Sequence, residues 1–208
     1  WVFGDTDELR AVKSIFSDYW EPDIFPDNKD DVLVDCGAFI GDSIEQYIKV
    51  YGDGYRKIYA YEIAKESYEK LCNNMRNMHD VECRYKGTGR TKAEMFVDSH
   101  DSYSGNHLCV EGEGLRVEVV TLDEDIEETI TTIKMDIEGA ELDSLLGCER
   151  TIREHTPRLA ICIYHGYNDI WKIPLAIHEM YPDYHFYMRY NGASDEPFPT
   201  EFVLLCKP

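Results

Sequence analysis

The sequence predicts an α/β fold, a doubly wound and Rossmann-like sheet of about seven strands that ends in an antiparallel strand pair. First, short apolar runs alternate with longer segments of helical periodicity along most of the chain. Second, a glycine turn joins the first apolar run to the first helical segment. Third, the last two strand-like runs have no helical segment between them. Such alternation favours parallel strands joined by right-handed crossovers, closed at one edge by the terminal pair.

The length of 208 residues suits a single domain, which we expect to span residues 31–208. We interpret residues 1–30 as an N-terminal helix and a linker. Apolar residues at helical spacing predict the helix over Thr6–Tyr19. Pro22, Pro26 and the acids between them indicate the linker into the first strand.

Strands and helices alternate at first, and then the pattern changes. We predict strands near residues 32–36, 57–62 and 81–85, helices near 42–51 and 65–77, and a loop over 86–90. Two further strand-like runs follow, over Ala93–Val97 and Leu115–Thr121. The polar segment Ser99–His107 between them is either a solvated hairpin connection or a lid over a substrate.

The second half of the chain returns to alternating strands and helices. We predict a core strand over Ile133–Ile137, one helix over Ala140–Ile152, an apolar strand over Arg158–Tyr164, a helix over Asp169–Met180 and a final strand pair over Tyr184–Tyr190 and Glu201–Cys206. Pro174 is compatible with its helix because proline is tolerated in the first turns.

The most informative part of the chain is the turn after the first strand. An apolar run ends in an acid, two glycines four residues apart follow, and a helical pattern begins directly after them. This succession is typical of a nucleotide-like ligand site, because a backbone that touches a ligand cannot carry a Cβ atom. The candidate ligand-binding residues are Asp35, Gly37, Ala38, Phe39, Gly41, Asp42 and Ser43.

The glycine spacing in this turn argues against a dinucleotide. A dinucleotide fingerprint needs Gly-x-Gly-x-x-Gly, whereas this turn has Gly-x-x-x-Gly with Phe39 in its middle. An acid before the loop also suits a cationic ligand better than a phosphate. Taken alone, the spacing is also compatible with an ordinary strand-to-helix turn.

Glu62 ends the second predicted strand, some distance after the glycine turn. An acid at this place can accept hydrogen bonds from ribose hydroxyls. The alternative is a carboxylate that stabilises a helix N-terminus. Because the glycine turn and Glu62 occur in register, we favour the ribose contact.

Four segments of the chain resemble motifs of the FkbM-type family of S-adenosylmethionine-dependent methyltransferases. They are Asp35-Cys-Gly-Ala-Phe-Ile-Gly-Asp42, Tyr61-Glu62, Lys134-Met-Asp-Ile-Glu-Gly-Ala-Glu141 and Ile163-Tyr-His165. The resemblance implies the class I methyltransferase fold, S-adenosylmethionine as cofactor, and methylation of a hydroxyl on a sugar, a glycan or a secondary metabolite. Asp35 and Gly37 are expected at the amino-acid end of the cofactor, and Glu62 at its ribose.

Acidic residues and one histidine follow later strands and are candidates for catalysis. Asp136, Glu138 and His165 fall at strand ends, on the edge where a ligand of such a sheet binds. A hydroxyl acceptor needs a base, so we predict His165 as that base and Asp136 or Glu138 as the residue that orients it. Structural roles are the alternative for each. Clustered acids also suit magnesium or calcium, but we expect no metal, because no histidine or further acid is spaced to complete a site.

The chain departs from related sequences at two places. After the third strand, Lys86-Gly87-Thr88 stands where class I enzymes often carry an acid near the adenine, so adenine recognition is unassigned. Tyr190 stands where a subgroup of the family often carries histidine, which leaves the role of that position open.

The amino-acid composition limits the classes of partner that we expect this protein to bind. A formal net charge of −20 argues against binding a nucleic-acid backbone or an anionic membrane surface. The seven cysteines are scattered without a Cys-x-x-Cys pair, which favours reduced thiols in a cytoplasmic protein over disulfides or zinc. We expect a small-molecule or glycan acceptor as the partner. The alternatives are a non-catalytic ligand-binding domain of a larger glycan-processing protein and a nucleotide-sugar or dinucleotide enzyme of the same architecture.

Overall fold

The computed structural model describes Lys13 and residues 18–26, 29–98, 107–110, 115–191 and 201–208. The strands of this part of the chain are β1 (Val32–Cys36), β2 (Lys57–Tyr61), β3 (Val81–Arg84), β4 (Gly87–Thr88), β5 (Ala93–Asp98), β6 (His107–Cys109), β7 (Leu115–Val120), β8 (Thr132–Met135), β9 (Arg158–Cys162), β10 (His185–Tyr190) and β11 (Phe202–Lys207). The helices are α1 (Asp42–Tyr51), α2 (Lys65–Met75), α3 (Leu122–Asp125), α4 (Glu141–Leu146), α5 (Glu149–His155) and α6 (Asp169–Met180).

Seven strands form the main sheet in the order β10-β11-β9-β8-β1-β2-β3. Strands β9, β8, β1, β2 and β3 pair in parallel, while β11 pairs antiparallel with both β9 and β10. The strand order reverses direction between β1 and β8, which places the carboxyl ends of β1, β2 and β8 side by side. The predicted fold class and the antiparallel C-terminal pair are confirmed.

A second, smaller sheet has the strand order β4-β7-β5-β6. The sequence predicts β5 and β7 but not β4, because residues 86–90 are interpreted there as a loop; that interpretation is wrong for Gly87 and Thr88, which pair with β7. Strand β6 also begins at the end of the segment predicted as a hairpin connection or lid. The rest of that segment, residues 99–106, lies outside the described residues, so both alternatives stay predictions.

The single helix predicted over Ala140–Ile152 is two helices, α4 and α5. The helix is interrupted at Gly147, where an added Cβ atom would lie 2.0 Å from the carbonyl oxygen of Gly89. Helix α4 therefore ends where the small sheet packs against it. The apolar periodicity continues across the break, because Leu145 and Ile152 both face the core.

The described residues that precede β1 pack against the main sheet. The helix predicted over Thr6–Tyr19 lies mostly outside the described residues. At the described positions it is wrong, because Lys13 forms an isolated parallel bridge with Tyr190, and Asp18 and Tyr19 are not helical. The predicted linker is packed against the sheet, with Trp20 and Phe25 fully buried. Trp20 also donates a hydrogen bond from Nε1 to the carbonyl oxygen of Ser43, 2.8 Å away, which ties this segment to the start of α1.

A buried ionic network lies at the amino ends of the central strands of the main sheet. Asp31 is fully buried and contacts the guanidinium of Arg158, and it accepts hydrogen bonds from Thr132 and Tyr47. The network joins the first residues of β1, β8 and β9, at the end of the sheet opposite the carboxyl ends of the strands, where a ligand would bind. None of the helices within the described ranges is both long and apolar enough to cross a membrane.

Candidate functional site

A cavity of about 340 Å³ opens at the carboxyl ends of β1, β2 and β8. This is the edge at which an open α/β sheet binds its ligand, next to the point where the strand order reverses. Its walls are Tyr19, Gly37, Phe39, Asp42, Ser43, Tyr61, Glu62, Ile63, Lys86, Gly87, Thr88, Leu108, Lys134, Asp136, Ile137, Glu138 and Ala140. The cavity therefore brings together the glycine turn, the end of β2 and the acidic motif after β8.

Gly37 lets two strands approach each other at the floor of the cavity. Its φ is 79°, and an added Cβ atom would lie 1.8 Å from the carbonyl oxygen of Asp136. The N–H of Gly37 donates to the carbonyl oxygen of Tyr61 over 3.0 Å. The turn is thereby pinned between the end of β2 and the start of the acidic motif, and only glycine fits there.

Glu62 closes one side of the cavity and is 7% exposed. Its carboxylate accepts the N–H groups of Phe39, at 2.8 Å, and Ala64, at 2.7 Å. Burial raises the pKa of Glu62, and the backbone hydrogen bonds from Ala64 and Phe39 offset that effect only in part. Each carboxylate oxygen can accept more than one hydrogen bond, so the same group that orders α2 and the turn can also accept from a ligand hydroxyl.

Not every predicted ligand residue borders the cavity. Gly37, Phe39, Asp42, Ser43 and Glu62 do so. Asp35 lies beneath the wall instead, where it accepts a hydrogen bond from the Ser43 hydroxyl and faces the ammonium of Lys134. Ala38 and Gly41 are also packed away from the cavity; Gly41 packs on Met75, whose Cε would lie 2.5 Å from an added Cβ atom.

The acids after β8 converge on His165. Nδ1 of His165 lies 2.8 Å from Oε1 of Glu141, which is fully buried. Nε2 of His165 lies 3.5 Å from Asp136 and 3.5 Å from Glu138. Burial by itself lowers the pKa of His165, but the hydrogen bond to Glu141 and the three carboxylate charges outweigh it and raise that pKa. The imidazole therefore favours its charged form, in which both nitrogens donate.

The carboxylates, rather than the histidine, face the cavity. Asp136 and Glu138 belong to its wall, whereas His165 lies behind them. The hydroxyl of Tyr19 donates to Oδ2 of Asp136 over 2.7 Å. Burial by itself raises the pKa of Asp136, but Lys134, Tyr19 and His165 outweigh it and lower that pKa. Asp136 is thus held as a carboxylate.

Glu138 has a left-handed backbone with a φ of 55°, and Gly139 follows with a φ of 96°. A bulky side chain in this conformation stores strain, which is common at functional sites. Glu141 stabilises the turn, because its carboxylate accepts the N–H groups of Ile137, at 2.8 Å, and Gly139, at 3.0 Å. The motif thus folds back on itself and aims Glu138 at the cavity.

One oxygen or nitrogen each of Asp136, Glu141 and His165 lie within 4.8 Å of one another, close enough for a single cation. The sequence places His165 at the same edge but does not show that it and Glu141 come this close to Asp136, so the reason given for expecting no metal does not hold. The absence of a metal stays a prediction.

Lys134 and Tyr19 are wall residues that sequence reasoning misses. Tyr19 lies far from the motifs in the sequence and reads as an apolar position of a helix. For Lys134 a signal exists, because it lies two residues before Asp136 and side chains of a strand repeat with period two. The sequence leaves adenine recognition unassigned, and the cavity wall contains the apolar groups Ile63 and Leu108 together with Thr88.

A smaller cavity of about 150 Å³ shares Tyr19 and Asp136 with the main one. Its remaining walls are Asp18, Cys162, Tyr164, Asn191, Glu201 and Val203. Asp136 is therefore the acid that borders both spaces.

Comparison with known proteins places this geometry in a family. The methyltransferase FkbM domain matches residues 35–193. A methyltransferase FkbM from Methylobacillus flagellatus is 25% identical with a TM-score of 0.78, covering 97% of this chain and 50% of the other. This chain thus spans about half the length of that relative. No match was found among curated proteins.

More distant structures share the fold. An rRNA methylase from Streptococcus thermophilus is 15% identical with a TM-score of 0.52, over 86% of this chain and 87% of its own. Fibrillarin from Aeropyrum pernix, solved with S-adenosyl-L-methionine, is 11% identical with a TM-score of 0.52, over 88% of this chain and 67% of its own. Because the family match covers well over half of the sequence, this chain belongs to the FkbM family of S-adenosylmethionine-dependent methyltransferases.

Proposed function

We propose that this chain transfers a methyl group from S-adenosylmethionine to a hydroxyl of a sugar, a glycan or a secondary metabolite. The observation that carries the proposal is the single cavity that joins Glu62 at one end to Asp136 and Glu138 at the other. A nucleoside-containing ligand that binds Glu62 through its ribose would extend along this cavity toward the proton-accepting carboxylates of Asp136 and Glu138. The family match supports methyl transfer, and the choice of a hydroxyl acceptor rests on the carboxylates.

The cavity walls fit the proposed cofactor. Glu62 has acceptor capacity for the ribose hydroxyls, and Ile63 and Leu108 offer an apolar surface for the adenine. The acids at the other end favour a cationic group such as a sulfonium. When bound, S-adenosylmethionine supplies an electrophilic methyl group. The protein residues supply orientation, exclusion of water and removal of the acceptor proton.

We assign proton removal to the cluster of Asp136, Glu138 and His165. Asp136 borders both cavities, so an acceptor in the smaller one can present its hydroxyl to that carboxylate. With S-adenosylmethionine bound, the acceptor oxygen would take the methyl group as the methyl–sulfur bond breaks and its electron pair stays on sulfur, and the acceptor proton would pass to the carboxylate of Asp136. His165 then balances charge behind Asp136, instead of contacting the acceptor as the sequence predicts.

Cofactor binding is tested by calorimetry with S-adenosylhomocysteine on the wild type, on Glu62→Ala and on Glu66→Ala. Glu66 is an exposed acid in the first turn of α2, a few residues after Glu62, so it controls for the loss of one charge. We expect Glu62→Ala to bind roughly 10-fold or more weakly, as loss of a charged hydrogen bond implies, and Glu66→Ala to bind as the wild type does. Equal affinity in all three proteins would remove Glu62 from the site.

The rival functions are separated by thermal shift with S-adenosylhomocysteine, NAD and a nucleotide sugar. A ligand that binds only the folded state raises the melting temperature. We expect S-adenosylhomocysteine alone to do so. A shift by NAD or by the nucleotide sugar instead would favour the dinucleotide or sugar-nucleotide alternative. Binding of S-adenosylhomocysteine without methyl transfer to any hydroxyl acceptor would favour the non-catalytic domain.

A further inference from the structure

Lys134 is a buried cation at the wall of the cavity that the proposed chemistry does not yet use. Its side chain is 2% exposed, and Nζ donates to the carbonyl oxygen of Gly37 over 2.7 Å. Nζ also lies 3.0 Å from Oδ1 of Asp35, its register partner on the neighbouring strand. Burial by itself lowers the pKa of Lys134, but the charges of Asp35 and Asp136 outweigh it and raise that pKa, so the ammonium keeps its charge.

The described residues provide acceptors for only two of the three N–H donors of this ammonium. An ammonium has three N–H donors. One is used by the Gly37 carbonyl and a second faces Asp35, and within the described ranges no other acceptor takes the third. Nζ also lies over the ring of Tyr19, another residue of the cavity wall, 5.0 Å from the ring centroid in a cation–π contact. Lys134 therefore presents a fixed, buried positive charge at the cavity wall.

The position of Lys134 identifies which part of the cofactor it meets. Glu62 marks the ribose, and the apolar groups Ile63 and Leu108 lie on the side of β3 and the small sheet. Lys134 lies on the other side of β1, because β8 and β2 flank that strand. A planar apolar base suits the first side, which leaves the charged amino-acid portion for the second. Lys86, the other cation of the wall, is already held by Asp125 at 2.9 Å.

We propose that Lys134 donates a hydrogen bond to the carboxylate of the amino-acid portion of the cofactor, an inference that rests on the proposed function. Asp35 keeps the ammonium charged and Gly37 fixes its direction. The same lysine thus couples the shape of the glycine turn to recognition of the carboxylate. A ligand without that carboxylate loses this contact.

The test compares S-adenosylhomocysteine with its decarboxylated analogue, S-adenosyl-3-thiopropylamine, by calorimetry on the wild type and on Lys134→Met. We expect the wild type to prefer S-adenosylhomocysteine by roughly 10-fold to 100-fold, the range for a charged hydrogen bond. In Lys134→Met that preference should fall to about 1, because only the carboxylate ligand loses affinity.

A second variant keeps the test decisive if Lys134→Met leaves Asp35 uncompensated and does not fold. The double variant Asp35→Asn with Lys134→Met removes both charges and keeps the interior neutral. If either folded variant loses affinity for both ligands alike, Lys134 is only a structural support of the turn and the inference is overturned. An unchanged preference also overturns it. Failure of the wild type to bind either ligand would instead overturn the proposed cofactor.

Discussion

At the scale of single residues, Gly37 is the described glycine with the least room for an added Cβ atom. Gly37→Ala should lower the free energy of unfolding well beyond the roughly 1–3 kcal/mol of a strained backbone, because its Cβ would lie 1.8 Å from a carbonyl oxygen. Gly52→Ala is the matched control, since Gly52 has a φ of 81° with nothing within 4 Å of an added Cβ atom. Urea unfolding measures both. Equal losses would mean that the turn can yield.

His165 should contribute stability that depends on pH. Its pKa is raised in the folded protein above the ordinary value of 6.5, so the folded state holds the proton more tightly than the unfolded chain. The stabilisation is therefore complete below about pH 6.5 and disappears as the pH rises through the folded pKa. The acids that face the ring, Asp136, Glu138 and Glu141, must remain ionised for this effect.

The measurement is the difference in unfolding free energy between the wild type and His165→Gln as a function of pH. We expect the difference to be largest near about pH 6 and to shrink toward about pH 9. His178→Gln is the control, because His178 is exposed on α6 and lies outside the acidic cluster. A difference that grows with pH would show that His165 is neutral in the folded protein.

The same cluster should govern turnover once an acceptor is known. Asp136→Asn should lose roughly 10²–10⁴ in rate while it still binds S-adenosylhomocysteine, as loss of a proton acceptor implies. His165→Gln should keep more activity than Asp136→Asn, because His165 lies behind the carboxylates. Rates measured at saturating acceptor decide this. The reverse order would restore His165 as the base.

Sequence reasoning finds the residues that follow strands, and misses those that reach the site from elsewhere. Glu62, Asp136 and Glu138 are recognisable because each lies at or next to the end of a predicted strand, and the structure places all of them at the cavity. Asp35 has the same signal but its carboxylate turns inward to Ser43 and Lys134. Which way a side chain faces is decided by neighbouring strands nearly 100 residues away, as the pair Asp35–Lys134 shows, and one sequence carries no record of that pairing.

At the scale of elements, the break between α4 and α5 is the feature that local pattern cannot reveal. Gly147 has an ordinary backbone, with a φ of −79°, so helix propensity alone would accept alanine there and even favour it. The obstacle is tertiary, since the carbonyl oxygen of Gly89 occupies the space of a Cβ atom. The apolar pattern on both sides of Gly147 predicts one helix because it records the core and not the small sheet.

Gly147→Ala should therefore destabilise the protein in spite of the better helix former. The added methyl group must push β4 and its neighbours away from α4, and overpacking of this kind typically costs about 1–3 kcal/mol. Gly54→Ala is the control, because the nearest atom to its added Cβ lies 3.7 Å away. Thermal unfolding of both variants decides the point. If Gly147→Ala is as stable as the wild type, the contact with the small sheet yields readily.

At the scale of the whole molecule, the order of the main sheet could be predicted because alternation and handedness leave few topologies. The order of the small sheet could not be predicted, because β4 has only two residues and is a strand only through its pairing with β7. The formal net charge of −20 has a consequence for the whole fold, because like charges repel in the compact state.

We therefore expect the melting temperature to rise as sodium chloride increases from about 0.01 M to about 0.5 M, where screening lengths fall to a few ångströms. Calorimetry of the protein without ligand measures the effect, and potassium chloride should act alike at equal ionic strength. A melting temperature that falls with either salt would mean that attractive pairs outweigh the net repulsion.

The packing of the N-terminal segment has an optical consequence. Among the described residues the two tryptophans are Trp20, which is fully buried, and Trp171, which is 50% exposed. Their emission should differ in wavelength, and acrylamide should quench Trp171 first. Trp20 donates to the carbonyl of Ser43, a residue whose hydroxyl holds Asp35 and whose side chain borders the cavity. The blue, quencher-resistant part of the fluorescence, which comes from Trp20, therefore reports on the glycine turn. Ligand binding at that turn should change this emission, so binding can be followed without an added dye.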